Sequence, residues 1–205
     1  MAEHSRYSVG GEASGMDGKV LKNKLGIHTQ AALDDAETHL FSDAYEYFFD
    51  LLAQGRMRFG PKTLFEIHQY FLSPLYTWAG KVRTVDIAKN GMQFAALAHL
   101  PTSLKEFEAS FKLNTPKDSD TKRQMAKKVA FLHSELNAIH PFREGNGRTI
   151  RLFLDLLVVN SGYYPIDWAK KTQDEYIHAC IKGMSKQYLP MERIVYAGLS
   201  RKPKS

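Results

Sequence analysis

The chain has 205 residues, 43% hydrophobic and 24% charged, with a net charge of +6. That balance excludes wholesale disorder and collagen-like structure. The longest apolar run, residues 94–98, falls far short of the roughly 18 residues a membrane span needs, so no membrane association is expected. The N-terminus lacks the basic-then-apolar pattern of a signal peptide. Cys180 stands alone, which rules out an intrachain disulfide or a thiolate zinc cluster and suits a cytoplasmic setting. The positive charge fits a nucleic acid, an acidic partner or a polyphosphate, or simply a solvated basic surface. No nucleic-acid motif with interleaved aromatics appears, so direct nucleic-acid binding is not expected.

Residues 1–20 are rich in Gly and Ser and are expected to be flexible. From Gln30 to Ala53 the apolar residues Leu33, Ala36, Leu40, Phe41, Ala44, Phe48, Leu51 and Leu52 recur every three or four positions, which predicts a helix with one buried stripe that stops at Gly55. Pro61 starts a second helix carrying Leu64, Ile67, Phe71 and Leu72 and ending before Pro74. Val82 to Ala88 breaks the pattern: it alternates and is β-branched, and Asn90-Gly91 separates it from Met92–Leu97. Asn-Gly between two such runs predicts a hairpin. A lone hairpin in a helical chain either offers an edge for another backbone or is a connecting excursion.

A further helix is expected over Thr102–Leu113. The clearest helix carries Met125, Val129, Leu132, Leu136 and Ile139 and ends at His140-Pro141. The next starts near Asn146, buries Ile150, Phe153, Leu154, Leu157 and Val158, and ends at Gly162. Two more helices are expected, Asp167–Lys182 and Pro190–Leu199. Residues 201–205 read as a basic tail.

The loop and helix start His140-Pro-Phe-Arg-Glu-Gly-Asn-Gly-Arg-Thr-Ile-Arg151 carries the chemistry. Gly145 and Gly147 permit close approach of a ligand, and a helix N-terminus at the same place attracts anions. Arg148 and Arg151 lie one turn apart, and each can grip phosphate oxygens. Glu144 is placed to hold Mg²⁺ beside phosphates, and a neutral His140 to take a proton from a hydroxyl. Taken singly, each has a bland reading: a structural histidine, a carboxylate answering the helix dipole, surface arginines, Phe142 as core. Within twelve residues the joint reading is phosphoryl or nucleotidyl transfer. His133 and His140 are seven apart with His140 beyond the helix, so zinc is not expected.

This stretch resembles the Fic motif, His-x-Phe-x-(Asp/Glu)-Gly-Asn-Gly-Arg-x-x-Arg, at every fixed position. The resemblance extends over roughly Leu21–Tyr188, including residues 22–28, 76–80, 85–87 and 135–142. It implies a single Fic domain over 21–200, all-α with one β-hairpin flap over the active loop. It further implies AMP transfer from ATP to a Ser, Thr or Tyr hydroxyl of a target protein, releasing pyrophosphate. His140 would be the general base and Glu144 the Mg²⁺ ligand. Gly145, Asn146 and Gly147 would form the anion hole, with Asn146 orienting the α-phosphate, Arg148 near the β-phosphate and Arg151 on the γ-phosphate. The flap residues Lys89, Asn90, Gly91, Met92 and Phe94 would face target and ATP. Gln173, Tyr176 and His178 are candidates for the adenine pocket.

The family's inhibitory pattern, (Ser/Thr)-x-x-x-Glu-(Gly/Asn), is matched only in spacing, by Ser8/Glu12, Ser42/Glu46 and Thr102/Glu106. A small antitoxin supplying a glutamate to Arg151 is therefore expected. Resemblance to bacterial Fic toxins points to a type II topoisomerase as target; a secreted effector acting on host GTPases is the other course. Transfer of UMP or GMP on the same cradle, and a non-catalytic nucleotide- or peptide-binding module, are the competing readings.

Overall fold

The computed structural model describes residues 8–9, 15–17, 20–89 and 91–203. Seven helices stand among them: α1 (Gln30–Ala53), α2 (Pro61–Leu72), α3 (Leu100–Asn114), α4 (Lys122–Ile139), α5 (Asn146–Asn160), α6 (Gln173–Met184) and α7 (Leu189–Gly198). Five short strands accompany them: β1 (Ser8–Val9), β2 (Met16–Asp17), β3 (Val20–Leu21), β4 (Ile87–Lys89) and β5 (Met92–Gln93). The mainly helical fold with a small hairpin is as the sequence implies. Residues 1–7, 10–14 and 18–19, where most of the expected flexible segment falls, lie outside the described residues, as does Asn90.

The helices start where local chemistry satisfies their first N–H groups. Thr121 and Gln124 form a reciprocal capping box at α4, and Thr172 and Glu175 do the same at α6. Pro61 opens α2 at a position that needs no N–H. Helix α5 is buried nearly all round, from Leu152 through Val158, which makes it a core helix rather than an amphipathic one. Helix α4 packs against α3, α5, α6 and α7, and its C-terminal half is largely buried.

Several boundaries differ from the sequence reading, among them the hairpin's second run, Met92–Leu97, which is strand only over Met92–Gln93 and ends in a 3-10 turn at Leu97–His99. The helix expected from Asp167 begins at Gln173, preceded by a single 3-10 turn over Trp168–Lys170. There Asp167 caps Ala169 with its own side chain, and Lys171 turns extended before the Thr172 box restarts the chain. The third helix starts two residues early, at Leu100. The strand expected over Val82–Ala88 is confined to Ile87–Lys89, because Arg83 turns inward. Its guanidinium donates to the carbonyls of Val85 (2.7 Å) and His140 (2.9 Å) and to that of Ala95.

The hairpin is also not alone. Sheet order is β1-β4-β5, with Ser8 opposite Ala88 and Val9 opposite Ile87. A second pair, β2 with β3, had no signal above its two-residue length. Arg201 belongs to the packed body rather than to a loose tail: it bridges Tyr163 and pairs with Asp118 at 2.7 Å.

Candidate active site

The loop between α4 and α5 is held from every side. His140 ends α4 in the left-handed conformation, φ +49. Phe142, fully buried, anchors the turn beneath it, stacked on His68 at 3.8 Å and met edge-on by Phe65 at 5.0 Å. Burial of such a ring contributes about 2–3 kcal/mol. The Asn146 carboxamide closes the loop on itself, its Nδ2 donating to Phe142 O (2.8 Å) and its Oδ1 accepting from Phe142 N (2.9 Å). In this structure the Asn146 side chain shapes the loop and does not line the cleft.

Gly145 is required at the start of α5. Its φ is +79, and a Cβ there would lie 2.8 Å from Leu72 Cδ1 and 3.0 Å from Phe71 Cζ. Thr149 N–H is the first to find an intrahelical acceptor, Gly145 O at 3.0 Å. The N–H groups of Asn146, Gly147 and Arg148 thus have no acceptor within the helix, and the helix dipole adds to their pull on an anion.

A cleft of about 580 Å³ opens at this point. Among its lining residues are His140, Glu144, Gly145, Gly147, Arg148 and Arg151 from the loop and α5, Lys89, Met92 and Phe94 from the hairpin, and Gln173, Tyr176, Ile177 and Cys180 from α6. The structure therefore brings together most of the residues singled out in the sequence. Asn146 is inside the loop, Gly91 and His178 are exposed and do not line the cleft, and Asn90 is outside the described residues.

His140 is buried and neutral. Desolvation first, then the charges of Arg83 and Lys89, hold its pKa down to about 3. Its Nδ1 lies 3.0 Å from Asn137 O, which only accepts, so Nδ1 carries the proton and Nε2 is the basic nitrogen. Phe94 of the hairpin stacks on the imidazole at 3.6 Å. The hairpin is tied to the loop by Ala95 N–H to Ala138 O (2.9 Å) and Arg83 N–H to Pro141 O (2.8 Å).

Glu144 is buried at the N-terminus of α5, its Oε1 accepting from Gly145 N–H at 2.8 Å and lying 3.8 Å from Arg148 Nη2. Among the described residues no cluster of three or more His, Cys, Asp or Glu could cage a metal. A single carboxylate beside a phosphate cradle is the donor set that suits Mg²⁺, which takes its remaining ligands from phosphate and water.

Four residues that sequence reading missed build the site's frame. Glu37, buried on α1, pairs with Arg148 and accepts from Tyr76 OH at 2.6 Å. Its signal was present: it falls on the apolar stripe one turn after Leu33. His68 donates from Nε2 to Glu144 O (3.0 Å) and accepts at Nδ1 from Gly80 N–H (2.8 Å), and burial lowers its pKa to about 4. Asp155, one turn beyond Arg151, accepts from Tyr45 OH, Ile166 N–H and Trp168 Nε1–H. Burial pushes its carboxyl up to about 6. Arg83 is the fourth. Arg151 itself lies 5.9 Å from the centre of the Tyr176 ring, whose OH meets His133 Nε2 at 2.7 Å.

Residues 58–158 match the Fic/DOC family. The chain is 30% identical over 176 residues to y4lH of Sinorhizobium fredii, named a probable protein adenylyltransferase, covering 84% of this chain and 87% of that one. It is 33% identical over 167 residues to the protein adenylyltransferase VbhT of Bartonella schoenbuchensis, covering 80% of this chain but only 34% of that protein's length. Among solved structures, the N-terminal Fic domain of a VirB-translocated effector of Bartonella quintana, with bound ADP, superposes with a TM-score of 0.73 at 25% identity, covering 89% and 91% of the two chains. The chain belongs to the Fic/DOC family. The reaction class of these relatives, by name, is nucleotidyl transfer onto protein.

Proposed function

We propose that the chain transfers AMP from ATP to a Ser, Thr or Tyr hydroxyl of another protein. The observation that carries this reading is a neutral imidazole sharing one cleft with two arginines at the N-terminus of a helix. His140 Nε2 takes the hydroxyl proton as the oxygen attacks the α-phosphorus. The bond to the bridging oxygen breaks, and pyrophosphate leaves. The N–H groups at the start of α5, with Arg148 and Arg151, hold the phosphate charge in line. Glu144 is the residue that would hold Mg²⁺, which when bound would supply positive charge to offset that of the phosphates. The ADP bound by the Bartonella quintana domain supports a nucleotide in this cleft.

The hairpin supplies the target's seat. With β1 covering the outer side of β4, β5 is the strand of the hairpin that offers a free edge among the described residues, and an extended target segment would pair there. Phe94 follows directly and covers His140. Regulation in trans by a small antitoxin is part of the proposal. Glu46 and Glu106 are exposed, Glu12 lies outside the described residues, and Glu144 is the only carboxylate among the described residues lining the cleft. A partner's glutamate on Arg151 would take the γ-phosphate's place.

The test is mass spectrometry of bacterial and host-cell lysates incubated with the chain, Mg²⁺ and ATP. A peptide carrying AMP on a hydroxyl is expected, with a type II topoisomerase the first target to inspect in the bacterial lysate. Phosphate or another nucleotide on the modified residue, in place of AMP, would overturn the reading.

A further inference from the structure

The last turn of α4 carries a polar side chain that neither the fold nor the proposed transfer uses. Asn137 is 7% exposed and lines the cleft. Its Nδ2 is buried without a hydrogen-bond partner. The contrast with Asn146 is direct, since that carboxamide is satisfied on both sides by Phe142. Only the Asn137 backbone is engaged here, its carbonyl accepting from His140 Nδ1–H. A buried amide without a partner weakens a fold, and its persistence calls for a ligand that completes it.

The lining around the cleft says which part of a ligand that is. Charge is concentrated at α5, with Arg148 and Arg151, where phosphates would sit. The wall contributed by Met92, Phe94, Tyr176, Ile177 and Cys180 is uncharged. A carboxamide adds a neutral donor and acceptor to that wall, and it is the side chain that matches the paired donor and acceptor on an adenine edge.

Resting on the reading of the cleft as a nucleotide site, we propose that Asn137 is a nucleoside-binding residue, its carboxamide hydrogen-bonding the neutral base-and-sugar part of the nucleotide whose phosphates are held by α5. It acts on affinity and on the choice of nucleotide, apart from the proton transfer at His140.

The experiment is calorimetric binding of two probes in the presence of Mg²⁺, α,β-methylene-ATP and inorganic tripolyphosphate, to the wild-type chain, Asn137→Ala and Asn137→Leu. Loss of a hydrogen bond of this kind weakens binding about three- to tenfold. That loss is expected for α,β-methylene-ATP in both variants, while tripolyphosphate affinity stays unchanged. The Tm of Asn137→Leu is expected to equal or exceed that of the wild type, because an apolar group of the same branched shape, with the open cleft beside it, replaces an unpartnered amide. The 2′,3′-dideoxy form of the analogue then separates the two parts of the nucleoside: a loss that persists places the contact on the base, and one that vanishes places it on the ribose. Unchanged affinity for the analogue in Asn137→Ala, or an equal loss for tripolyphosphate, would overturn the proposal. A wild-type chain that binds neither probe would instead overturn the nucleotide reading beneath it.

Discussion

Arg148 is held in place by a carboxylate 111 residues away, and removing that carboxylate is a sharp test of how the site is built. The Glu37 side chain is 2% exposed and that of Arg148 17% exposed. Glu37→Ala leaves the guanidinium with Glu144, at 3.8 Å, and the face of Phe71, and strips Tyr76 OH of its acceptor. Removing one partner of a buried pair costs about 3–5 kcal/mol. The lower end applies here, about 3 kcal/mol, because Arg148 retains some solvent and a second carboxylate. For a chain of this size that corresponds to a fall in Tm of about 6–12 °C. The assay is urea or thermal unfolding of Glu37→Ala, Arg148→Met and the double variant. The double variant is expected to be more stable than the sum of the two losses predicts, with a coupling of about 2 kcal/mol. AMP transfer should fall in Glu37→Ala through a raised KM for ATP, since Arg148 loses its fixed position. A loss below 1 kcal/mol, or strict additivity in the double variant, would refute the reasoning.

Acidification should destabilise the chain. His68, His133 and His140 have pKa values lowered to about 4, 3 and 3, in each case chiefly by burial. Between those values and 6.5 the unfolded chain binds more protons than the folded one, so stability falls as pH drops below about 6.5. At about 1.4 kcal/mol per pH unit for each histidine, moving from pH 7.5 to 5.5 costs about 4 kcal/mol, and Asp155, raised to about 6, returns about 1 kcal/mol. Urea midpoints that stay level or rise at pH 5.5 would contradict this. Gly145→Ala should cost about 2–4 kcal/mol, from the positive φ and the contacts with Leu72 and Phe71. Gly147→Ala, whose Cβ would meet only Arg151 Nη1 at 3.5 Å, should change stability by less than about 1 kcal/mol; equal losses in thermal unfolding would remove the steric argument.

The helices were legible because apolar residues recur at helical spacing, over the greatest length in α1. The active loop was legible because its residue types are contiguous. What could not be read is what joins distant segments. Glu37 interrupts an apolar stripe visibly, yet nothing in the sequence names Arg148 as its partner. His68 braces Glu144 across 76 residues, and Asp155 gathers Tyr45, Ile166 and Trp168 from two separate segments. Arg83 misled the strand assignment because Val82 to Ile87 alternates as a strand does, whereas burying the guanidinium on three carbonyls decides the backbone there. The bonds from the Asn146 carboxamide to both backbone groups of Phe142 were equally hidden: a motif records which residues recur, not which way they face. Tertiary hydrogen bonds of this kind leave no local periodicity.

The central claim is that His140, neutral and backed by the α5 phosphate cradle, drives the attack of a protein hydroxyl on the innermost phosphorus of ATP. The most direct measurement supplies ATP labelled either at the α- or at the γ-phosphate to the chain and a cell lysate, for the wild type and for His140→Ala. Label from the α-position is expected on protein with the wild type only, while His140→Ala still unfolds cooperatively and keeps its affinity for α,β-methylene-ATP. Protein labelled from the γ-position, or undiminished α-labelling by His140→Ala, would contradict the account.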